Sequence, residues 1–130
     1  MTAFIDTNVL IRLERETRHP IAGVATAFFE SLTETRLCIT PNIAGEIACG
    51  ASMSGREVWE KFLKPFECLP IDAETTWNYG VQYQELAKRG ELIGCNDLWI
   101  AAAALAHQLP LATSNVREFE RVGGLEVVAV

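Results

Sequence analysis

The fold is indicated most clearly near the start of the 130-residue chain, by the segment Phe4-Ile5-Asp6-Thr7-Asn8-Val9-Leu10. Its first two apolar residues lead into Asp6, which is followed by residue types that favour the start of a helix. Apolar residues then continue at helical spacing as far as Leu13. We therefore predict a short buried strand that delivers Asp6 to its carboxyl end, where a helix begins.

The rest of the chain continues this alternation of short apolar strands and helices. Further strands are predicted at 37–39, 66–71 (a short edge strand at best), 109–113 and 125–130. Further helices are predicted at 20–32, 41–53, 58–63, 97–107 and 114–121, with Asn96 as the cap of the helix at 97–107. A long helix is also predicted after Asp72, which caps it, and Trp77 lies on its apolar stripe. The pattern is typical of an α/β fold with a mostly parallel central sheet flanked by helices. Residues 1–130 are predicted to form a single domain, because the chain is short and shows no linker.

Charge and composition limit the functions open to this chain. Hydrophobic residues make up 49% and charged residues 22%, which excludes intrinsic disorder. The 11 basic and 17 acidic residues leave a formal charge of −6, which argues against a broad basic surface for nucleic acid. A protein that meets phosphate through cations held by carboxylates stays possible.

Cellular location is also constrained by the sequence. The first residues show no basic segment followed by an apolar one, so a signal peptide is not expected. The longest apolar run, residues 98–106, is far shorter than a membrane span of about 20 residues. The four cysteines lack the spacing of a zinc site and are interpreted as free thiols. A cytoplasmic protein without a membrane partner is predicted.

Three acidic residues stand out because each lies among apolar neighbours: Asp6, Glu46 and Asp97. Buried carboxylates are costly unless they are protonated, paired or neutralised by a cation. A set of oxygen ligands favours a hard cation such as Mg²⁺ or Mn²⁺ over zinc. Simpler interpretations stay open here: the two aspartates could only cap helices, and Glu46 could be a salt-bridged or solvent-facing helix residue.

Three segments resemble the motifs of a known family. Phe4-Ile5-Asp6-Thr7-Asn8-Val9-Leu10-Ile11 resembles the opening of PIN domains, and Gly94-Cys95-Asn96-Asp97-Leu98-Trp99-Ile100-Ala101-Ala102 resembles their central motif. Residues 111–122 are similar to the closing motif of VapC-type toxins, and Glu46 lies where the family has a helix-borne glutamate. The resemblance covers essentially the whole chain, in the family's order.

The resemblance implies a PIN fold and a Mg²⁺- or Mn²⁺-dependent endoribonuclease that acts on transfer RNA or ribosomal RNA. It further implies a homodimer and a small VapB-like antitoxin that inserts a segment into the active-site groove. Carried over by motif, Asp6 and Asp97 are the principal metal ligands, and Glu46 completes the catalytic triad of acids. In the implied reaction, a metal-activated water hydrolyses an RNA phosphodiester.

Auxiliary site residues are predicted around this triad. Many PIN domains have a fourth acid where this sequence has Asn115, and Glu118 is the candidate replacement. Neutral side chains that could position water or phosphate, or could equally be cap and turn residues, are Asn8, Thr113 and Asn115.

Two groups of arginines are candidates for phosphate contact. Arg117 and Arg121 lie four residues apart on one predicted helical face beside the site. Phosphate contact and a solvated helix face are both open interpretations of this pair. For Arg12, Arg15 and Arg18 in the first helix, a solvated helix face is the favoured interpretation over an RNA path.

Other functional classes fit the sequence less well. A phosphatase of the haloacid-dehalogenase type needs an aspartate two residues after Asp6, where this chain has Asn8. A phospho-receiver domain needs a paired acid and a lysine that are not evident. A catalytically idle PIN-fold module that binds RNA or protein stays the alternative, and the presence of all three acids argues against it.

Overall fold

The computed structural model describes residues 1–19 and 23–130. Its strands are β1 (Thr2–Ile5), β2 (Arg36–Ile39), β3 (Glu67–Cys68), β4 (Leu111–Thr113) and β5 (Val127–Ala129). Within the described ranges its helices are α1 (Thr7–Arg18), α2 (Val24–Glu30), α3 (Pro41–Ala48), α4 (Arg56–Leu63), α5 (Ala73–Lys88), α6 (Cys95–Ala106) and α7 (Val116–Phe119). In this part of the chain, no helix is both long and apolar enough to cross a bilayer.

The five strands form one sheet in the order β3-β2-β1-β4-β5, and every neighbouring pair is parallel. The predicted α/β fold with a mostly parallel central sheet is thus confirmed. β1 lies in the middle, with Phe4 paired to Cys38 on β2 and to Leu111 on β4. All three of these side chains are fully buried, as expected for a parallel strand covered on both faces.

Helix α6 is the most buried helix of the described chain. Its side chains from Ile100 to Ala104 are at most 2% exposed, and small alanine side chains allow close approach of neighbouring elements. Helix α5 packs against it, with the ring of Tyr79 stacked on Trp99 at a centroid distance of 4.0 Å. This packing anchors the first turns of α6, which carry Asp97, against α5.

Several predicted helix limits were wrong. Helix α3 ends at Ala48 rather than at residue 53, because the chain turns at Cys49 and Gly50. Helix α6 begins at Cys95, so Asn96 lies inside it and Gly94 occupies the cap position. The Asn96 side chain instead accepts a hydrogen bond from Asn42 at 3.0 Å.

The second predicted helix is described only in part. Residues 20–22, where it was predicted to begin, lie outside the described residues, and the observed helix α2 ends at Glu30, short of residue 32. Trp77, predicted on the apolar stripe of the long helix, does not belong to the core of the described chain. Its side chain is 71% exposed, whereas Leu86 on the same helix is fully buried.

Candidate active site

Asp6 links the central strand to the first helix. It is the N-cap of α1, and its Oδ1 accepts a hydrogen bond from the backbone N–H of Thr7 at 2.8 Å. Its Oδ2 accepts a second from the hydroxyl of Thr113, at the end of β4, at 2.7 Å. With only 3% of its surface exposed, Asp6 is both a helix cap and a buried carboxylate at the carboxyl edge of the sheet.

Glu46 reaches the same edge from helix α3. That helix begins after β2 with Thr40 as its N-cap, whose hydroxyl accepts from the N–H of Ile43, and with a proline in its first turn. Glu46 Oε1 accepts a hydrogen bond from the hydroxyl of Thr7 at 2.7 Å. Thr7 therefore holds Glu46 next to Asp6, which sits one residue earlier in the chain.

Asp97 and Glu118 complete the cluster on its other side. Asp97 lies in the first turn of α6 and is half-buried. Glu118 on α7 accepts hydrogen bonds from the backbone N–H of Gly94 at 3.3 Å and from the side chain of Asn115 at 2.5 Å. These contacts tie Glu118 to the residue that precedes α6.

The carboxylates influence one another electrostatically. Burial raises the pKa of Asp97 to about 6, with further contributions from the charges of Asp6, Glu118 and Glu46. Burial also raises the pKa of Asp6, against hydrogen bonds from Thr113 and Thr7 that lower it, and the charges of Glu46 and Glu118 raise it further. The structure therefore brings the predicted triad together, and Glu118 with it.

The neutral residues predicted to assist the site lie around this cluster. Thr113 donates to Asp6 and accepts from the backbone N–H of Asn115 at 2.9 Å. Asn8 accepts from the backbone N–H of Ser114 at 3.4 Å. These contacts show that the three side chains shape the site, and their role toward water or phosphate stays a prediction.

The shared helical face predicted for Arg117 and Arg121 was wrong. Helix α7 ends at Phe119, so only Arg117 lies on it, with an exposed side chain. Arg121 instead donates from Nη1 to the carbonyl oxygen of Leu92 at 3.3 Å. Contact of either arginine with phosphate stays a prediction.

The donor set of this cluster fits a hard divalent cation. No ion pair within residues 1–19 and 23–130 includes any of the four acids. Across the same ranges, no three His, Cys, Asp or Glu side chains are arranged to hold a metal ion together. Mg²⁺ usually takes only one or two carboxylates directly and keeps several waters, so a site of this ion does not require three direct ligands.

Two features of the site were missed in the sequence. Thr7 was considered only as a helix-starting residue, yet its hydroxyl positions Glu46. A groove of about 220 Å³ next to Glu46, lined by Ile11, Arg15 and Met53 among others, was also missed. No local pattern reveals it, because α1 and the turn after α3 form it together.

Comparison with known proteins identifies the family of this chain. The PIN domain family model matches residues 3–125. The chain is 30% identical to Ribonuclease VapC1 of Rickettsia felis, over 100% of this chain and 97% of the relative. It is 33% identical to the tRNA(fMet)-specific endonuclease VapC of Shigella flexneri, over 93% of this chain and 92% of the relative.

Solved structures give the same result. VapBC2 of Rickettsia felis, crystallised with a DNA fragment from its promoter, matches with a TM-score of 0.82 and 27% identity, covering 100% of this chain and 99% of that one. VapBC-1 of nontypeable Haemophilus influenzae matches with a TM-score of 0.79 and 28% identity, covering 99% and 98%. The chain therefore belongs to the PIN-domain family and, within it, to the VapC ribonucleases.

Proposed function

We propose that this protein is a Mg²⁺- or Mn²⁺-dependent endoribonuclease and the toxin of a toxin–antitoxin pair. The observation that carries the proposal is the cluster of Asp6, Glu46, Asp97 and Glu118, which have no ion-pair partner among the described residues. The charges of Glu46 and Glu118 raise the pKa of both Asp6 and Asp97, beyond the effect of burial. A cation would relieve this repulsion and provide the contact with an RNA phosphate that the acidic cluster itself lacks.

In the proposed reaction, Asp6 and Asp97 would hold the cation, and Glu118 would add negative charge to the same cluster. When bound, the ion supplies charge neutralisation and activation of a water. The hydroxyls of Thr113 and Thr7 keep Asp6 and Glu46 in place. Glu46 accepts a proton from the attacking water, whose oxygen forms a bond to phosphorus while the bond to the leaving sugar oxygen breaks. The leaving oxygen takes up a proton from solvent and departs as a hydroxyl group.

The proposed substrate is transfer RNA, with a ribosomal RNA loop as the other candidate. Support comes from the relatives in Shigella flexneri and Salmonella typhimurium, which are named tRNA(fMet)-specific endonucleases. Because such substrates are cytoplasmic and all four cysteines are free thiols, we propose that the protein acts in the cytoplasm.

A VapB-like antitoxin is the proposed partner. An apolar groove of about 650 Å³ lies between α1, α2 and α4, and its lining includes Leu13, Phe29, Leu37, Val58, Phe62 and Phe66. It shares Glu14, Arg18, Ser52 and Met53 with the groove next to Glu46. An antitoxin segment with apolar side chains could occupy this groove and extend towards the acids, consistent with the toxin–antitoxin complexes among the similar structures.

We also propose a homodimer in which α5 forms part of the contact. Trp77 is 71% exposed, and Val81, one turn further on, is 37% exposed. Burial of such an aromatic side chain is a typical source of interface stability. Light scattering at micromolar concentration should give a dimer mass for the wild type and a smaller mass for Trp77→Glu.

Cleavage of total cellular RNA tests the nuclease directly. The purified protein is incubated with Mg²⁺, Mn²⁺ or EDTA, beside Asp6→Asn and the matched variant Asp72→Asn. Discrete cuts that need metal, vanish in Asp6→Asn and persist in Asp72→Asn are expected. Cleavage by nuclease-free Asp6→Asn at the wild-type rate would overturn the assignment. Metal binding without cleavage in any condition would favour the idle RNA- or protein-binding module instead.

A further inference from the structure

A groove beside the acidic cluster combines one of its carboxylates with basic side chains. The cavity, about 220 Å³, is lined by Glu46 and Ile47 from α3, by the turn that follows α3, and by Ile11, Glu14, Arg15 and Arg18 from α1. We call it the entry groove. An RNA strand that reaches Glu46 through this groove would pass the exposed face of α1.

The two arginines of the entry groove differ in their partners. Arg18 donates to Glu14 at 3.1 Å, so its charge is already compensated in part. Among the residues that the structure describes, the guanidinium of Arg15 has neither an ion-pair nor a hydrogen-bond partner, and the residue is exposed. Arg15 is therefore the side chain of the groove with a charge free to meet an anion.

The position of Arg15 fits a phosphate near the cut rather than the cut phosphate itself. It follows Thr7, which holds Glu46, by two turns of α1, about 12 Å along the helix axis. Arg15 and Glu46 line the same groove, and this offset of the Arg15 backbone along α1 suits a phosphate next to the one being cleaved. Since the chain carries a net charge of −6, RNA binding beside the acids depends on local positive charge, which the guanidinium of Arg15 supplies.

We propose that Arg15 is a positioning residue that binds an RNA phosphate next to the scissile one and sets the path of the strand along α1. This inference rests on the proposed nuclease function and adds to it a residue and a direction of approach. It also reverses the interpretation of Arg15 as part of a merely solvated helix face. Arg12, exposed on the same helix and outside the entry groove, provides the matched control.

The first test measures RNA binding without turnover. Asp97→Asn protein, alone and combined with Arg15→Gln, Arg15→Lys or Arg12→Gln, is titrated with bulk transfer RNA at several salt concentrations. Arg15→Gln should weaken binding about fivefold to tenfold and reduce the slope of log affinity against log salt by about one. Arg15→Lys should restore most of the binding, and Arg12→Gln should change it less than twofold. Equal effects of Arg15→Gln and Arg12→Gln would overturn the proposal.

The second test uses the active protein on the RNA that cleavage mapping identifies. Arg15→Gln should raise KM by a similar factor and leave kcat within about twofold, because the contact lies away from the reacting atoms. A fall in kcat together with a lower unfolding temperature would instead show a structural role at the end of α1 and would overturn the proposal. Wild-type cleavage with an unchanged KM in Arg15→Gln rejects only the role of Arg15. A wild type that neither cleaves nor binds RNA rejects the nuclease as well.

Discussion

Asp6 and Asp72 have the same local role and opposite electrostatic surroundings. Each is the N-cap of a helix, and each accepts hydrogen bonds from the threonines that follow or face it. The pKa of Asp72 is lowered, chiefly by its hydrogen bonds to Thr75, as expected for an exposed cap. The pKa of Asp6 is raised by burial and by neighbouring carboxylates. Capping alone therefore does not explain Asp6, whereas it fully accounts for Asp72.

The comparison shows how a structural acid differs from a candidate catalytic one. Asp72 stabilises the positive end of α5 in contact with water. Asp6 is kept buried close to Glu46, Asp97 and Glu118, an arrangement that costs free energy in the absence of a cation. Such a cost is typical of functional sites, where perturbed pKa values cluster.

The largest predicted difference between the two aspartates is in catalysis. Asp6→Asn should lower RNA cleavage by about 100-fold or more, because it removes a charge from the proposed cation site while keeping an oxygen that can cap α1. Asp72→Asn should cleave within about twofold of the wild type. Initial rates at saturating Mg²⁺ measure both, and equal losses in the two variants would contradict the distinction.

A smaller catalytic effect is expected at Glu118. Its contacts with Gly94 and Asn115 place it in the cluster, so Glu118→Gln should reduce cleavage about tenfold and weaken Mn²⁺ binding. Glu120 is exposed and lies two positions after Glu118, so Glu120→Gln is the control and should behave like the wild type. If both variants kept full activity and metal affinity, Glu118 would be assigned to local structure only.

The starts of α6 and α5, at Asp97 and Asp72, should also differ in how pH affects stability. Folding raises the pKa of Asp97 from 3.8 to about 6, so the folded state binds the extra proton and the metal-free protein loses stability as pH rises through this window. Because the carboxyl is half-exposed, we expect a loss of roughly 1 kcal/mol rather than that of the full shift. Denaturant unfolding at several pH values in EDTA should show this decline, and Asp97→Asn should flatten it.

Asp72 should show the opposite trend with pH. Because folding lowers the pKa of Asp72, its carboxylate stabilises the folded protein at pH values above 3.8, the pKa in the unfolded chain. This stabilisation is lost as the pH falls through the lowered pKa of the folded state. Asp72→Ala should lower the thermal unfolding midpoint at pH 7 by a few degrees. No change in the midpoint at pH 7, or the same change at pH 3, would contradict the capping role.

Much of the fold could be predicted because its signals are local. The apolar run before Asp6 and the alanine-rich stretch after Asp97 are buried for the reasons their composition indicates. The positions of Asp6 and Asp97 could be predicted because each lies where a strand or a loop passes into a helix. Asp6 lies at the carboxyl edge of the sheet, where ligands of parallel sheets bind. Asp97 approaches Asp6 from the first turn of α6, and only the family resemblance had implied that the two meet.

The remainder depends on contacts between distant segments. The stripe that contains Trp77 has the same sequence pattern whether a helix, a second molecule or solvent covers it. Glu118 was a secondary candidate because its reach depends on how α7 is set against Gly94. The free charge of Arg15 became apparent only once Arg18 was seen to pair with Glu14.

Calorimetric titration of Mn²⁺ into metal-free protein tests the central claim most directly, namely that the acidic cluster binds a divalent cation through Asp6 and Asp97. At pH 7 we predict saturable binding by the wild type and by Asp72→Asn, and a loss of affinity of about 100-fold or more in Asp97→Asn. Equal Mn²⁺ affinity in the wild type and in Asp97→Asn would contradict the account.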